Sequence, residues 1–287
     1  MRTLRNEIIR GALRCPICRT PMTVEGGSLT CAGARRHCFD FSASGYVNLS
    51  APNQSGGGDS KQAVRARSRF LNQQQYAPIA RGICEMLREV LCDRASLVVD
   101  AGCGEGYYSD RIAEEGYAVA GVDLSKFAVD AASKRANSAG RENSFYAVSS
   151  VYELPFADGS VEAITNVFAP CVESEFLRVL KDGGYLLIAQ AGEDHLMGLK
   201  RVLYRETKQN GERADLPQTM KKCGERRVRY TITVEGRAAI ADLFAMTPYY
   251  WRTSAEDAQK LSSLVELETE VDVLLTLYRK EKGEVFS

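Results

Sequence analysis

Apolar positions along this chain fall into two rhythms. From Lys61 they recur at helical spacing: Val64, Phe70 and Leu71 line one face while Arg65, Arg67 and Arg69 project elsewhere. Tyr76-Ala77-Pro78 breaks that run, and Ile79 to Leu91 starts a second amphipathic helix with Ile79, Ile83, Met86, Leu87 and Val90 on one side. Short continuous apolar runs then alternate with helical stretches. Strands are predicted at Leu97–Asp100, Ala118–Asp123, Ser144–Val148, Val161–Val167 and Tyr185–Ala191. Helices are predicted near Tyr108–Glu115, Phe127–Asn137 and Ser174–Leu180. Leu264 to Leu277 alternates apolar and polar residues and reads as a late strand completing the sheet. The alternation predicts an α/β fold with a parallel, doubly wound sheet, whose ligands sit at the carboxyl ends of the strands.

The first fifty residues follow neither rhythm. They hold Cys15-Pro16-Ile17-Cys18, then Cys31, then His37-Cys38, a C-x2-C-x12-C-x5-H pattern with Cys38 as an adjacent alternative ligand. Two ligands from one tight turn and two from a second suit a tetrahedral structural Zn²⁺. A redox C-x-x-C is the weaker reading, because no thioredoxin-like βαβ pattern surrounds it. So small a module buries too little core to hold itself together without such a staple. Phe39 and Phe41 are expected to close its core; the alternative is stacking on unpaired bases beside Arg35 and Arg36. Residues 51–60, with three consecutive glycines, have linker composition. The expected organisation is a metal-binding module over 1–50, a flexible linker over 51–60 and an α/β domain with a helical lead-in over 61–287.

Composition adds limits. The chain is 45% hydrophobic and 26% charged, as in soluble globular proteins. No apolar run approaches the ~20 residues needed to span a bilayer. The first ten residues are too polar for a signal peptide, so a cytoplasmic protein with no membrane partner is expected. Net charge is zero, yet residues 1–69 carry eleven Lys/Arg against four Asp/Glu, or +7, and the remainder carries 26 against 33, or −7. The asymmetry points either to a polyanion partner for the basic part or to a solvated arginine-rich surface.

Candidate chemistry sharpens at Val98-Val99-Asp100-Ala101-Gly102-Cys103-Gly104-Glu105-Gly106. A buried strand ends in an acid, glycines allow a tight turn and close backbone approach, and a helix N-terminus follows. Such a loop is a weak signal alone. Asp123, ending the next strand, stands where a ribose-hydroxyl acceptor is needed.

These residues resemble the first motif of the class I S-adenosylmethionine (SAM) methyltransferases, with Asp123 matching their ribose-binding acid. Leu154-Pro155-Phe156-Ala157-Asp158 and Val179-Leu180-Lys181-Asp182-Gly183-Gly184 are similar to two further stretches of that class. The ordered set of Cys15-Pro16-x-Cys18, Cys31…His37-x-Phe39-Asp40, Gly45-Tyr46-Val47-Asn48-Leu49, Gly102 to Tyr108, Phe168-Ala169-Pro170-Cys171, His195-Leu196-Met197 and Met246-Thr247-Pro248 is narrower. Together it resembles the bacterial 23S rRNA guanine-N1 methyltransferases (RlmA-type), including relatives that protect against tylosin-class macrolides.

The resemblance implies a Rossmann-like SAM-binding sheet and a zinc module over 1–50 that helps recognise a hairpin of 23S rRNA. It also implies zinc on Cys15, Cys18, Cys31 and His37, although the Cys31–His37 gap is slightly longer than the family's and Cys38 adds a second thiol. Cofactor contacts would fall on Tyr76, Gly104, Glu105 and His195, beside Asp100 and Gly102 of the first motif, with Asp123 on the ribose. Asn166, Phe168 and Pro170 stand where the class holds the acceptor base. Phe168 could stack on guanine and Asn166 read its edge; equally, the two could cap a strand and pack the core. No general base is identified, and a homodimer is left open. Met246 to Arg252 either walls the pocket or ends a helix, and the basic run Lys221 to Arg229 is either an RNA surface or solvated charge. Two other functions compete: a small-molecule SAM methyltransferase with a structural zinc module, and a non-catalytic RNA-binding protein on a SAM-binding fold.

Overall fold

A computed structural model of the chain describes residues 4–50, 58–211 and 216–283. The glycines expected to make the linker mobile lie largely outside them. Helix α1 (Glu7–Ala12) opens the described chain, its N-cap Asn6 accepting the Ile9 N–H at 3.0 Å. Strands β1 (Met22–Glu25), β2 (Ser28–Cys31) and β3 (Cys38–Asp40) form a small antiparallel sheet. Strand β4 (Val47–Asn48) then leaves that module and joins the large sheet.

The helical lead-in is α2 (Lys61–Asn72) and α3 (Ala77–Val90), with Pro78 in the first turn of α3 where its missing N–H costs nothing. Next come β5 (Leu97–Ala101), α4 (Tyr107–Glu114), β6 (Ala118–Asp123), α5 (Lys126–Ser138), β7 (Ser144–Val148) and β8 (Val161–Val167). They are followed by α6 (Glu173–Val179), β9 (Leu180–Ala191), α7 (Met197–Leu203), β10 (Lys221–Glu235), α8 (Arg237–Ala245), α9 (Ala255–Gln259) and β11 (Glu266–Arg279). The strand order in the large sheet is β10-β11-β9-β8-β5-β6-β7-β4.

Side chains alternate across this sheet with period two. Val98, Val119, Ala163, Leu187 and Val273 face a core with α2, α3, α7 and α8. Leu97, Val99, Ala120, Ile164 and Ile188 face the other way.

One expectation is corrected, that of a purely parallel sheet. The sheet is mixed, because β11 pairs antiparallel with both β9 and β10; it follows α8 and α9 and inserts between those two strands, opposite to both in direction. The basic run at 221 is the start of β10, whose charges conceal an alternation in which Val228, Tyr230, Ile232 and Val234 turn inward. The N-terminal module does not stand apart. Ile9, Leu13, Cys15, Leu29 and Phe41 share one core with Leu97, Val99 and Phe156, and backbone bonds join Arg14 N–H to Pro155 and Ala157 N–H to Ala12. Met246 to Arg252 ends α8 and continues as a 3₁₀ turn over Pro248–Trp251. Among the described residues no helix is long and apolar enough to cross a membrane.

Candidate functional site

The metal-ligand candidates converge. One side-chain atom from each of Cys15, Cys18, Cys31 and His37 lies within 4.8 Å of the others. Cys15 Sγ and Cys31 Sγ each stand 3.5 Å from His37 Nδ1, and Cys18 Sγ is 3.6 Å from Cys31 Sγ. A tetrahedron with Zn–S and Zn–N bonds of about 2.3 and 2.0 Å has edges of about 3.5–3.8 Å, so the donor set fits Zn²⁺. Cys38 is outside the cluster: it is exposed and its Sγ is 4.0 Å from the Thr30 hydroxyl. Successive side chains point to opposite sides along the extended chain entering β3, so only one of positions 37 and 38 turns inward. The thiols are unequal. Burial pushes Cys15 up to about 11, while the Thr20 hydroxyl and N–H bring Cys18 down to about 7.

A second set of candidates meets at the carboxyl ends of β5, β6, β8 and β9. Asp123 accepts the Gly104 N–H on Oδ2 at 3.0 Å and the Ser125 N–H on Oδ1 at 2.7 Å, leaving each oxygen room for a further donor. Gly104 has φ +54°, and a Cβ there would meet only Arg67 Nη1, at 3.5 Å, within 4 Å. An acidic pair of oxygens beside open backbone is what a ribose diol needs, so this cradle fits the adenosyl part of SAM. Arg67 itself is held by Asp59 at 2.5 Å. Neither residue was singled out as a site candidate, because their proximity to Gly104 arises only from the packing of α2.

Two motif acids face inward. Asp100 is buried, accepts from Ser109 at 2.5 Å and Thr165 at 3.0 Å, and is pushed by burial up to about 6. Glu105 is raised by burial and held by Arg135 at 3.1 Å. Both carboxylates brace the loop from beneath. Gly102 packs its α-carbon against Ala169, which ties the loop to the segment after β8.

Tyr76, Phe168 and His195 come together from three distant parts of the sequence. Tyr76 Oη lies 3.4 Å from His195 Nε2, and the Phe168 ring stacks on the imidazole with centroids 5.6 Å apart at 26°. Phe168 has φ +51° and is 44% exposed; a large side chain held in the left-handed region is strained, a feature that concentrates at functional sites. Asn166 is buried, its amide donating to the carbonyls of Ala101 (3.1 Å) and Pro170 (3.0 Å). In this position it caps the end of β8. Gln190, overlooked in sequence, holds a buried Oε1 that no donor reaches. Its strand position alone could not have revealed that.

His195 is neutral. Burial pushes it down to about 4, against the pull of Asp272. Its Nδ1 faces the Asp272 backbone N–H at 3.3 Å, so that nitrogen accepts and Nε2 carries the proton. The basic run of β10 is neutralised side chain by side chain: Lys221 pairs with Glu281, Lys222 with Glu225, Arg226 with Glu85 and Glu89, Arg227 with Asp272, and Arg229 with Asp194.

Comparisons with known proteins bear on both sites. Residues 13–55 match a family model described as "RlmA, N-terminal", and residues 98–184 match one described as "Methyltransferase domain". The 23S rRNA (guanine(748)-N(1))-methyltransferase of Streptomyces fradiae is 31% identical over 96% of this chain and 99% of its own length. A Bacillus subtilis (strain 168) relative, provisionally named 23S rRNA (guanine-N(1)-)-methyltransferase YxjB, is 30% identical over 91% of this chain and 94% of its own. A Micromonospora griseorubida protein with the same provisional enzyme name is 29% identical over 84% and 87%. With a zinc ribbon and a methyltransferase sheet in the same order and at nearly full length, the chain belongs to the RlmA-type 23S rRNA guanine-N1 methyltransferase family.

Proposed function

We propose that this chain transfers a methyl group from SAM to N1 of a guanine in a hairpin loop of 23S rRNA. The observation that carries the reading is the open cradle of Gly104 and Asp123 at the strand ends of a sheet whose core also holds Cys15 and Cys31 of the Cys₃His cluster. Asp123, Gly104, Gly102, Tyr76 and His195 are the residues that would hold SAM; Asp100 and Glu105 support the loop from within. Cys15, Cys18, Cys31 and His37 would hold Zn²⁺, which fills its shell with protein ligands and so stabilises without reacting. Bound SAM supplies an electrophilic methyl group on a sulfonium.

The protein's part is mostly positioning. Phe168, strained and exposed beside the neutral imidazole, offers a flat apolar face for a base. Pro170, fixed by the Asn166 amide, sets the path of the wall beyond it. Guanine N1 bears a proton at neutral pH that must leave for attack to occur. His195 is not its acceptor, since Nδ1 takes the Asp272 N–H and Nε2 already carries a hydrogen. A loop offers bases already unpaired, which lowers the cost of bringing one into the pocket. The reading places the reaction in the cytoplasm and leaves the chain free to act as a homodimer; an effect on susceptibility to tylosin-class macrolides would follow from the methyl mark.

The test is incubation of zinc-loaded protein with methyl-labelled SAM and unmodified 23S rRNA, followed by mass-mapping of the RNA. One labelled guanine within a hairpin is expected. Label only on small metabolites, or tight RNA binding without turnover, would replace this reading with one of its competitors.

A further inference from the structure

His195 is held by a strand that no sequence motif connects to it. The loop Gly192 to Leu196 lies across β11, and three hydrogen bonds fasten it there, two between backbones and one to the imidazole: Gly192 N–H to Asp272 O at 2.8 Å, Leu196 N–H to Glu270 O at 2.7 Å, and Asp272 N–H to His195 Nδ1 at 3.3 Å. The Asp272 side chain is fully buried and takes the Asp194 N–H at 3.1 Å. It also takes both arms of Arg227, Nε and Nη2, each at 2.7 Å. Gly192 makes room for it; a Cβ there would lie 2.5 Å from Asp272 Oδ2.

A buried carboxylate without a partner is costly, so evolution retains one only with strong compensation. Here the compensation is a two-pronged guanidinium bond, which fixes direction as well as charge. The direction matters because the backbone N–H of the same residue meets the imidazole. If Asp272 shifts along β11, the N–H leaves Nδ1, and either ring nitrogen can then carry the proton. The neighbours that face this assembly are Asp194, Lys200 and Arg229, of which Lys200 is engaged by the Lys208 carbonyl and Asn210 Oδ1 and Arg229 by Asp194. Of the three, Asp194 alone bonds the Asp272 carboxylate, through its backbone N–H.

We infer that Arg227 and Asp272 form a positioning pair that locks His195 in the tautomer with hydrogen on Nε2, presenting a donor toward Tyr76. The inference rests on the reading of His195 as a cofactor contact for its consequence in binding, but not for the tautomer itself. With Nε2–H donating to Tyr76 Oη, the tyrosine O–H stays free to donate onward.

The measurement is a long-range ¹H–¹⁵N spectrum of zinc-loaded, histidine-labelled full chain at neutral pH. The chain has two histidines, His37 and His195, and His195→Gln identifies each signal set. The wild type should show a single neutral tautomer with Nε2 protonated. Arg227→Gln and Asp272→Asn should each give mixed tautomers and a roughly tenfold weaker SAM Kd, with kcat at saturating SAM changed far less. Arg227→Lys keeps the charge without the fork and should recover only part of the affinity. Should a single variant fail to fold, the neutral double variant Arg227→Gln/Asp272→Asn removes the buried charge and is measured instead, with the same expectation. A wild-type tautomer pattern in these variants overturns the inference. An unchanged SAM Kd in His195→Gln instead overturns the contact reading and leaves the spectrum to decide the pair.

Discussion

The zinc cluster and the His195 site are both small polar assemblies within apolar surroundings, yet they are built by opposite means. The four donors of the cluster come from 23 consecutive residues, Cys15 to His37, and two tight turns bring them together. The His195 site draws Tyr76, Phe168, His195, Arg227 and Asp272 from five elements or loops spread over nearly two hundred residues. In the first, geometry is local and a cation completes it. In the second, geometry is imposed by the sheet, and a buried ion pair completes it. A local site depends on its ligand for order; a tertiary site depends on the fold and can be loosened from far away.

The largest effect should follow from breaking the local site. Cys15→Ser or Cys31→Ser should abolish the single bound zinc, measured by elemental analysis. Because Cys15 and Cys31 sit in the same core as Leu97, Val99 and Phe156, the loss should reach the sheet. A destabilisation of about 3 kcal/mol or more is expected in urea unfolding. A metal-free variant as stable as the wild type would mean that the module and sheet are energetically separate.

Next comes the cradle, which is local in its loop and tertiary in its acid. Asp123→Ala removes the acceptor for Gly104 and Ser125 and for any ribose hydroxyl. Calorimetric SAM affinity should fall about tenfold to hundredfold, the scale of lost hydrogen bonds to a charged group. Unchanged affinity would move the cofactor elsewhere.

The tertiary site carries its own acid signature. The His195 imidazole falls from 6.5 to about 4 on folding, so the unfolded chain binds a proton first as pH drops. The stability that its neutrality confers is complete above pH 6.5 and is lost as pH falls toward 4. Asp100 works against it: raised from 3.8 to about 6, it favours the folded state at low pH and loses that contribution as pH rises through 6. His195→Gln should therefore flatten the acid limb of the unfolding curve, by up to a few kcal/mol at pH 4. Asp100→Asn should steepen the same limb. Identical limbs in wild type and His195→Gln would mean that the imidazole is hydrated.

How much of each region was legible follows from the same distinction. The C-x-x-C knuckle, the glycine loop and Asp123 announce themselves because their spacing along the chain is their geometry. The apolar runs of β5 to β9 were equally plain, since strands buried on both faces read as continuous apolar segments. Strand β10 was hidden: its inward positions are few and its charges crowd the outward face, so composition outweighed alternation. The shared core of module and sheet was hidden too, because Leu13 and Phe156 are neighbours only in space. Arg227 and Asp272 carry no pattern at all. Their meaning lies in a register, Arg227 opposite Leu274 and Val273 opposite Ala191, that exists only in the folded sheet.

The smallest effect tests the boundary of the local site. Cys38 was the rival to His37 by sequence, and a thiolate is a stronger zinc donor than many alternatives. Yet β3 runs Cys38, Phe39, Asp40 with its alternation already set: Leu29 pairs opposite the half-buried Phe39, and Cys38 looks outward beside Thr30. To bring the Cys38 thiol to the cluster the strand would have to slip by one residue, which would turn Phe39 out of the core. The cost of exposing an aromatic ring, on the order of 2 kcal/mol, opposes that exchange. Cys38→Ser should therefore keep one zinc per chain and change stability by less than about 0.5 kcal/mol, while His37→Ala should lose the metal or bind it far more weakly. Zinc retained in His37→Ala but lost in the double His37→Ala/Cys38→Ser variant would show that the thiol can step in, and that the local site is less rigid than its register implies.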